Sequence, residues 1–72
     1  IKELRMEIKL NKEFITLGQL LKVTDFISSG GEAKFMVNEL NISVNGEREN
    51  RRGRKLFSGD VVIIEGKKFE VI

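Results

Sequence analysis

The chain has 72 residues, no cysteine, no histidine and a formal net charge of +2, which excludes disulfide staples, zinc ribbons and fingers, and the Cys–His and Ser–His pairs of nucleophilic enzymes. A domain this small buries only about 60% of the surface its unfolded chain exposes, too little to enclose a deep substrate cavity as well. No stretch approaches the roughly 20 apolar residues of a membrane span, and nothing at the start joins a positive segment to a long apolar run. The expectation is one soluble, cytoplasmic domain over residues 1–72, monomeric, without cofactor or metal. Its start is read as arbitrary, because Ile1 stands where a methionine is usual.

In chain order, Met6, Ile8 and Leu10 alternate with Glu7 and Lys9, the period-2 signature of a half-buried strand that Asn11-Lys12 can turn. Thr16 and Gln19 then have the spacing of a capping box, and Ile15 and Leu20 that of a hydrophobic staple, so a helix is expected to start at Leu17. Leu17, Leu20, Leu21 and Thr24 fall on one stripe and mark its core face, with Gln19 and Lys22 looking outward. Ser29 and Glu32 repeat the capping-box spacing ahead of Ala33, Met36, Val37 and Leu40, which recur at i, i+3, i+4 and i+7 and predict a second amphipathic helix. Gly30 and Gly31 in its first turn are either a flexible connection or a place where bare N–H groups can face an anion.

Ile42 and Val44 alternate with Ser43 and lead into Asn45-Gly46, the pair favoured by a type I′ hairpin turn. After a basic run, "LFSGDVVIIEGKKFEVI" reads as strand, a Ser58-Gly59-Asp60 turn, strand, a turn at Gly66 and a last strand. Val61 and Ile63 face one way and Val62 and Ile64 the other, so that strand is expected at the centre of the sheet with both faces covered. Phe14, Phe26 and Phe69 fit core positions. Phe35 falls off the apolar stripe of the second helix and is expected near the surface, where it either stacks on a base or packs on the first strand.

The order Ser29, Ala33, Lys34, Val37, then Ile42-Ser43-Val44-Asn45-Gly46, then Leu56 and Gly59-Asp60 resembles the S-four domain, the RNA-binding module named after ribosomal small-subunit protein four. The resemblance covers about residues 14–64. "TLGQLLK" and "ENRRGRKL" are similar to the small stand-alone bacterial, YaaA-like members. It implies an α+β fold, with two short N-terminal helices packed on a small, mostly antiparallel sheet, and RNA binding without catalysis. Gly30 departs from the family pattern, where an Arg is usual, and Gly18 departs where an acidic residue is common. The first departure leaves Lys34 and the arginine run to supply the positive charge.

That run carries the functional reading. Residues 1–47 hold six Lys/Arg and seven Asp/Glu, a net −1, whereas residues 48–72 hold seven and four, a net +3. Arg48, Arg51, Arg52, Arg54 and Lys55 crowd into eight positions, with only Glu49 against them. Arginine suits phosphate because its planar fork can bind two oxygens at once, although a charged edge that discourages strand pairing is the plainer use of such a run. Asn50 is either a turn cap or a phosphate donor, and Gly53 either a bulge or a point of close backbone approach. The expected RNA-contacting set is Lys22, Lys34, Arg48, Asn50, Arg51, Arg52, Arg54 and Lys55, reading the phosphate backbone of a structured ribosomal or transfer-like RNA, with a ribosome or other ribonucleoprotein as its setting. The other reading is a protein adaptor that docks an acidic partner on the same basic strand. An enzyme would have to use Glu47, Glu49 or Asp60, and the sequence pairs none of them with a nucleophile or a metal cluster.

Overall fold

The structure is a computed structural model and describes residues 5–72. The described elements are β1 (Arg5–Ile8), β2 (Ile15–Thr16), α1 (Leu17–Val23), α2 (Gly30–Glu39), β3 (Ile42–Val44), β4 (Glu47–Arg48), β5 (Lys55–Leu56), β6 (Val61–Ile64) and β7 (Lys67–Val71). A five-stranded sheet runs in the order β1-β7-β6-β3-β4, and β2 and β5 make a separate two-stranded pair. The fold is therefore α+β, with a mixed sheet. Every pair is antiparallel but one: β1 lies parallel to β7, with Met6 opposite Phe69 and Ile8 opposite Val71. Two strands precede the helices, and the strand expected through Leu10 ends at Ile8. Leu10 instead donates its N–H to the Ile72 carbonyl at 2.8 Å.

The local signals before α1 act as written. The Gln19 N–H donates to Thr16 Oγ1 at 3.2 Å and the Thr16 N–H donates to Gln19 Oε1 at 2.9 Å, a reciprocal capping box. The helix stops at a left-handed Asp25, φ 65°. There the N–H groups of Asp25 and Phe26 donate to the Lys22 and Leu21 carbonyls, a Schellman ending with aspartate where glycine is usual. At α2 the expected box is displaced by one residue. Ser29 is the N-cap but its side chain accepts no capping bond; Ser28 donates its hydroxyl and its N–H to the Glu32 carboxylate and holds that carboxyl below its ordinary range.

Leu17, Leu20 and Leu21 of α1 and Ala33 and Val37 of α2 meet Ile42, Val44, Val62, Ile64, Phe69 and Val71 from the inner face of the sheet, and Leu56 from β5, in one buried cluster. Among the described residues, only that face is covered. Strand β6 is central as expected, yet Ile63 points to the other side and stays 38% exposed. Both helices pack against one side of the sheet, so the second apolar row of β6 meets no layer among the described residues. Phe69 is buried, but Phe14 and Phe26 are only half-buried, and Phe26 packs edge-on to Phe69 with centroids 6.1 Å apart.

The β3–β4 hairpin has Asn45 at φ 52° and Gly46 at φ 87°, the two positive values a type I′ turn requires. The Asn45 side chain then ties this turn to the next one: it accepts the Val61 N–H at 2.9 Å and donates to Asp60 Oδ1 at 3.1 Å, while Asp60 Oδ2 accepts the Phe57 N–H at 2.8 Å. Asn45 and Asp60 thus lock two turns together. No heavy atom lies within 4 Å of where a Cβ on Gly46 would stand, so the cost of Gly46→Val is backbone strain rather than a clash. We expect it to lower stability by about 1–3 kcal/mol. An unchanged urea midpoint would contradict the strained turn.

Candidate nucleic-acid interface

Between β4 and β5 the chain makes the loop 49–54, which carries most of the basic run. Its one acid is its anchor. Glu49 is 6% exposed, and its carboxylate accepts from Arg51 Nε at 2.9 Å, Arg51 Nη2 at 3.2 Å, Arg54 Nη1 at 2.7 Å and the Arg51 backbone N–H at 3.1 Å. The Arg51 guanidinium bonded to it, aided by Arg54 and opposed by burial, holds the Glu49 carboxyl down to about 2. The Glu49 N–H donates to the Ile42 carbonyl at 3.0 Å, which fixes the loop to β3. Arg52 and Gly53 form the tip of a tight turn closed by the Arg54 N–H on the Arg51 carbonyl at 3.1 Å. Gly53 is therefore a turn residue, not a strand bulge.

The loop also caps α1. The Leu17 N–H donates to the Arg54 carbonyl at 2.9 Å and the Gly18 N–H to the Arg52 carbonyl at 2.8 Å. With Thr16 Oγ1 taking the Gln19 N–H, the first three donors of the helix are satisfied by the protein itself. Gly18 makes this approach possible, since a Cβ there would lie 3.3 Å from the Arg52 carbonyl oxygen and 3.5 Å from the Ala33 side chain. A side chain at that position would crowd the Arg52 carbonyl and make the loop give by a few tenths of an ångström, while its contact with Ala33 would be ordinary.

The result is a cleft of about 380 Å³ where α1, the start of α2 and the loop converge. Lys22 comes from α1, Gly30 and Ala33 from α2, and Arg52 and Gly53 from the loop tip. Of the eight expected contact residues, Lys22 and Arg52 are the two that share this cleft. Arg51 keeps 72% of its side chain exposed while holding Glu49, so part of its fork is free, and Arg54 is more enclosed. Asn50 is exposed on the same loop. The others are spread out. Arg48 sits on β4 and donates to Asn41 Oδ1 at 3.3 Å, Lys34 is exposed on α2 outside the cleft, and Lys55 holds its ammonium 4.8 Å above the Phe14 ring. Phe35 is 68% exposed, as its place off the apolar stripe requires.

Two parts of the site escape a reading of the sequence. Glu49 looks like a stray charge, and the signal for it was a lone acid with arginines two and five residues on. Gly18 reads as a departure from a pattern, and its reason is a carbonyl from the loop more than thirty residues away in sequence. Of the carboxylates an enzyme would need, Glu49 and Asp60 are both engaged in the structural bonds described above.

The family model of the S4 domain matches residues 8–72, and the chain belongs to that family. It is 54% identical over 66 residues to the "Probable ribosome maturation protein RlbA" of Bacillus subtilis (strain 168), an alignment that takes in 90% of this chain and 93% of that protein. No solved structure matches the chain.

Proposed function

We propose that this S4-domain protein binds structured RNA without catalysis, holding the phosphate backbone between α1 and the Glu49-anchored loop, in the setting of a ribosome or its assembly. The observation that carries this reading is the convergence of Lys22 and Arg52 on one cleft, beside an arginine loop fixed before any ligand arrives. Cations beside a loop that Glu49 holds through Arg51 and Arg54 suit the fixed phosphate spacing and shallow minor groove of an RNA duplex. The printed name of the Bacillus relative, a ribosome maturation protein, points to the same setting. Lys34, Arg48, Asn50 and Lys55 belong to the outer edge of the proposed contact and Arg51 and Arg54 to its frame.

The test is a titration across salt concentrations with a stem-loop and with poly-uridine of equal length. Each phosphate contact adds close to one unit to the slope of log affinity against log salt. Arg52→Ala is therefore expected to flatten the slope by about one and leave the melting curve in place, because the Arg52 side chain takes no part in the Glu49 cluster. Stem-loop binding is expected to be the tighter, and Phe35→Ala to cost less than loss of Arg51 and Arg52 together. Binding that ignores salt would favour the adaptor that docks an acidic protein; equal or tighter binding to poly-uridine would favour a stacking platform.

A further inference from the structure

A second hollow opens on the other side of α1. It measures about 540 Å³, larger than the basic cleft, and runs from the segment after β1 to the end of α1. Its walls are apolar: Leu10, Phe14, Ile15 and Val23. Val23 is 61% exposed at the last position of α1, where the α1 stripe gives it no place in the core. Phe14 is held in position by Phe57, with ring centroids 6.0 Å apart, and by the Lys55 ammonium above it.

The groove also has a cationic part to its lining, with Lys9 and Lys12 from the segment after β1 and Lys22 from α1. Lys22 and Gln19 line both this groove and the basic cleft, so the two hollows adjoin at these two side chains. Gln19 Oε1 is committed to the Thr16 N–H, which leaves the amide NH₂ of Gln19 as a donor where the hollows join.

We propose that the apolar groove takes an unpaired nucleobase of the bound RNA, while the phosphates flanking that nucleotide lie on Lys22 and Arg52. A nucleotide joins an anion to a flat body with apolar faces over a short span, and the adjoining hollows offer cations and apolar walls side by side. An acidic peptide would match the lysines and the arginine loop alike, but its carboxylates have no use for the apolar walls of Leu10, Phe14, Ile15 and Val23. The inference rests on the RNA-binding reading and adds to it that a single bulged or looped-out base is read next to a duplex whose backbone is held.

The experiment compares three stem-loops of one sequence: fully paired, with one unpaired adenine, and with an abasic residue at the same bulge. The abasic RNA keeps the backbone and the bend and loses only the base. The unpaired adenine is expected to bind about tenfold more tightly than the abasic form, and 2-aminopurine at that position to lose its fluorescence on binding. Val23→Ser, an exposed position whose change should leave the fold intact, is expected to abolish most of that difference and leave the affinity for abasic RNA unchanged. Equal affinity for the adenine and abasic RNAs, with a steep salt dependence for both, would overturn the base site alone and leave the groove to a protein partner. A Val23→Ser variant that weakens all three RNAs alike would overturn it too, by assigning Val23 a structural role. No salt-dependent binding to any of them would overturn the RNA reading itself.

Discussion

Glu49→Ala, which raises the net charge of the basic region by one, is expected to weaken RNA binding rather than strengthen it. A view based on charge alone gives the opposite sign, since a negative group beside a phosphate site costs affinity. The geometry decides otherwise. The Glu49 carboxylate gathers two guanidinium groups and a backbone N–H, and without it Arg51 and Arg54 repel each other and the loop carbonyls lose their fixed approach to α1. The loss of affinity is expected to be about tenfold, because ordering a loop of rotamer-rich side chains then falls to the binding step. Stability is expected to fall by about 2 kcal/mol, reduced from the larger value the depressed carboxyl implies because Arg51 is well exposed to solvent and its ion pair is screened. The pH dependence follows in sign. Glu49 titrates in the folded protein at about 2, below its ordinary value of 4.5, so its contribution is complete above about pH 4.5 and is lost as pH falls toward 2. Urea midpoints of the parent and of Glu49→Ala are thus expected to converge between pH 4.5 and pH 2. A gap that persists unchanged at pH 2, or an alanine variant that binds RNA more tightly, would contradict this account.

The largest loss of binding is expected from Lys22→Glu combined with Arg52→Glu. Both side chains are exposed and both line the cleft, so the double variant replaces two attractive contacts with two repulsive ones in one place. At about 0.1 M salt the affinity for a stem-loop is expected to drop on the order of a hundredfold or more, with the salt slope flattened by about two or beyond. Arg52 takes no part in the Glu49 cluster, but Lys22 is the cation in the last turn of α1, so the double variant is expected to lose about 0.5–1 kcal/mol of stability and is titrated below its thermal transition. Lys34→Glu with Arg48→Glu, the same charge change outside the cleft, is the matched control and is expected to cost much less. Equal losses for the two pairs would show that binding follows total charge and not this cleft.

Where the chain's own neighbourhood decides the structure, the sequence was readable. Thr16 and Gln19 cap each other across three residues, and Asn45-Gly46 needs only its own backbone to make a type I′ turn. The motif order that suggested the S-four family likewise joined local signals at fixed intervals: the start and one face of a helix at Ser29, Ala33, Lys34 and Val37, a strand into Asn45-Gly46, and the Gly59-Asp60 turn. What could not be read was set by distant partners. Nothing near Ile15 says that β2 pairs with β5, and nothing near β1 says that its neighbour is β7 and parallel. Ile63 belongs to a strand that looks covered on both faces, yet the helices reach only one. The site divides in the same way. The basic run was evident, but which of its cations are frame and which are free depends on where Glu49 buries and where the Arg52 and Arg54 carbonyls land.

The pairing of β1 with β7 bears on when this protein can finish folding. Met6 and Phe69 are partners, so a ribosome making this chain must deliver nearly all of it before the first strand finds its place. Helix α1 and its cap can form early, but the loop that satisfies Leu17 and Gly18 comes later and the edge of the sheet comes last. Contacts this distant in sequence slow folding. Until β7 emerges, the core side of the sheet, with Ile42 and Val44 in place and Phe69 still missing, is left open to whatever else is nearby.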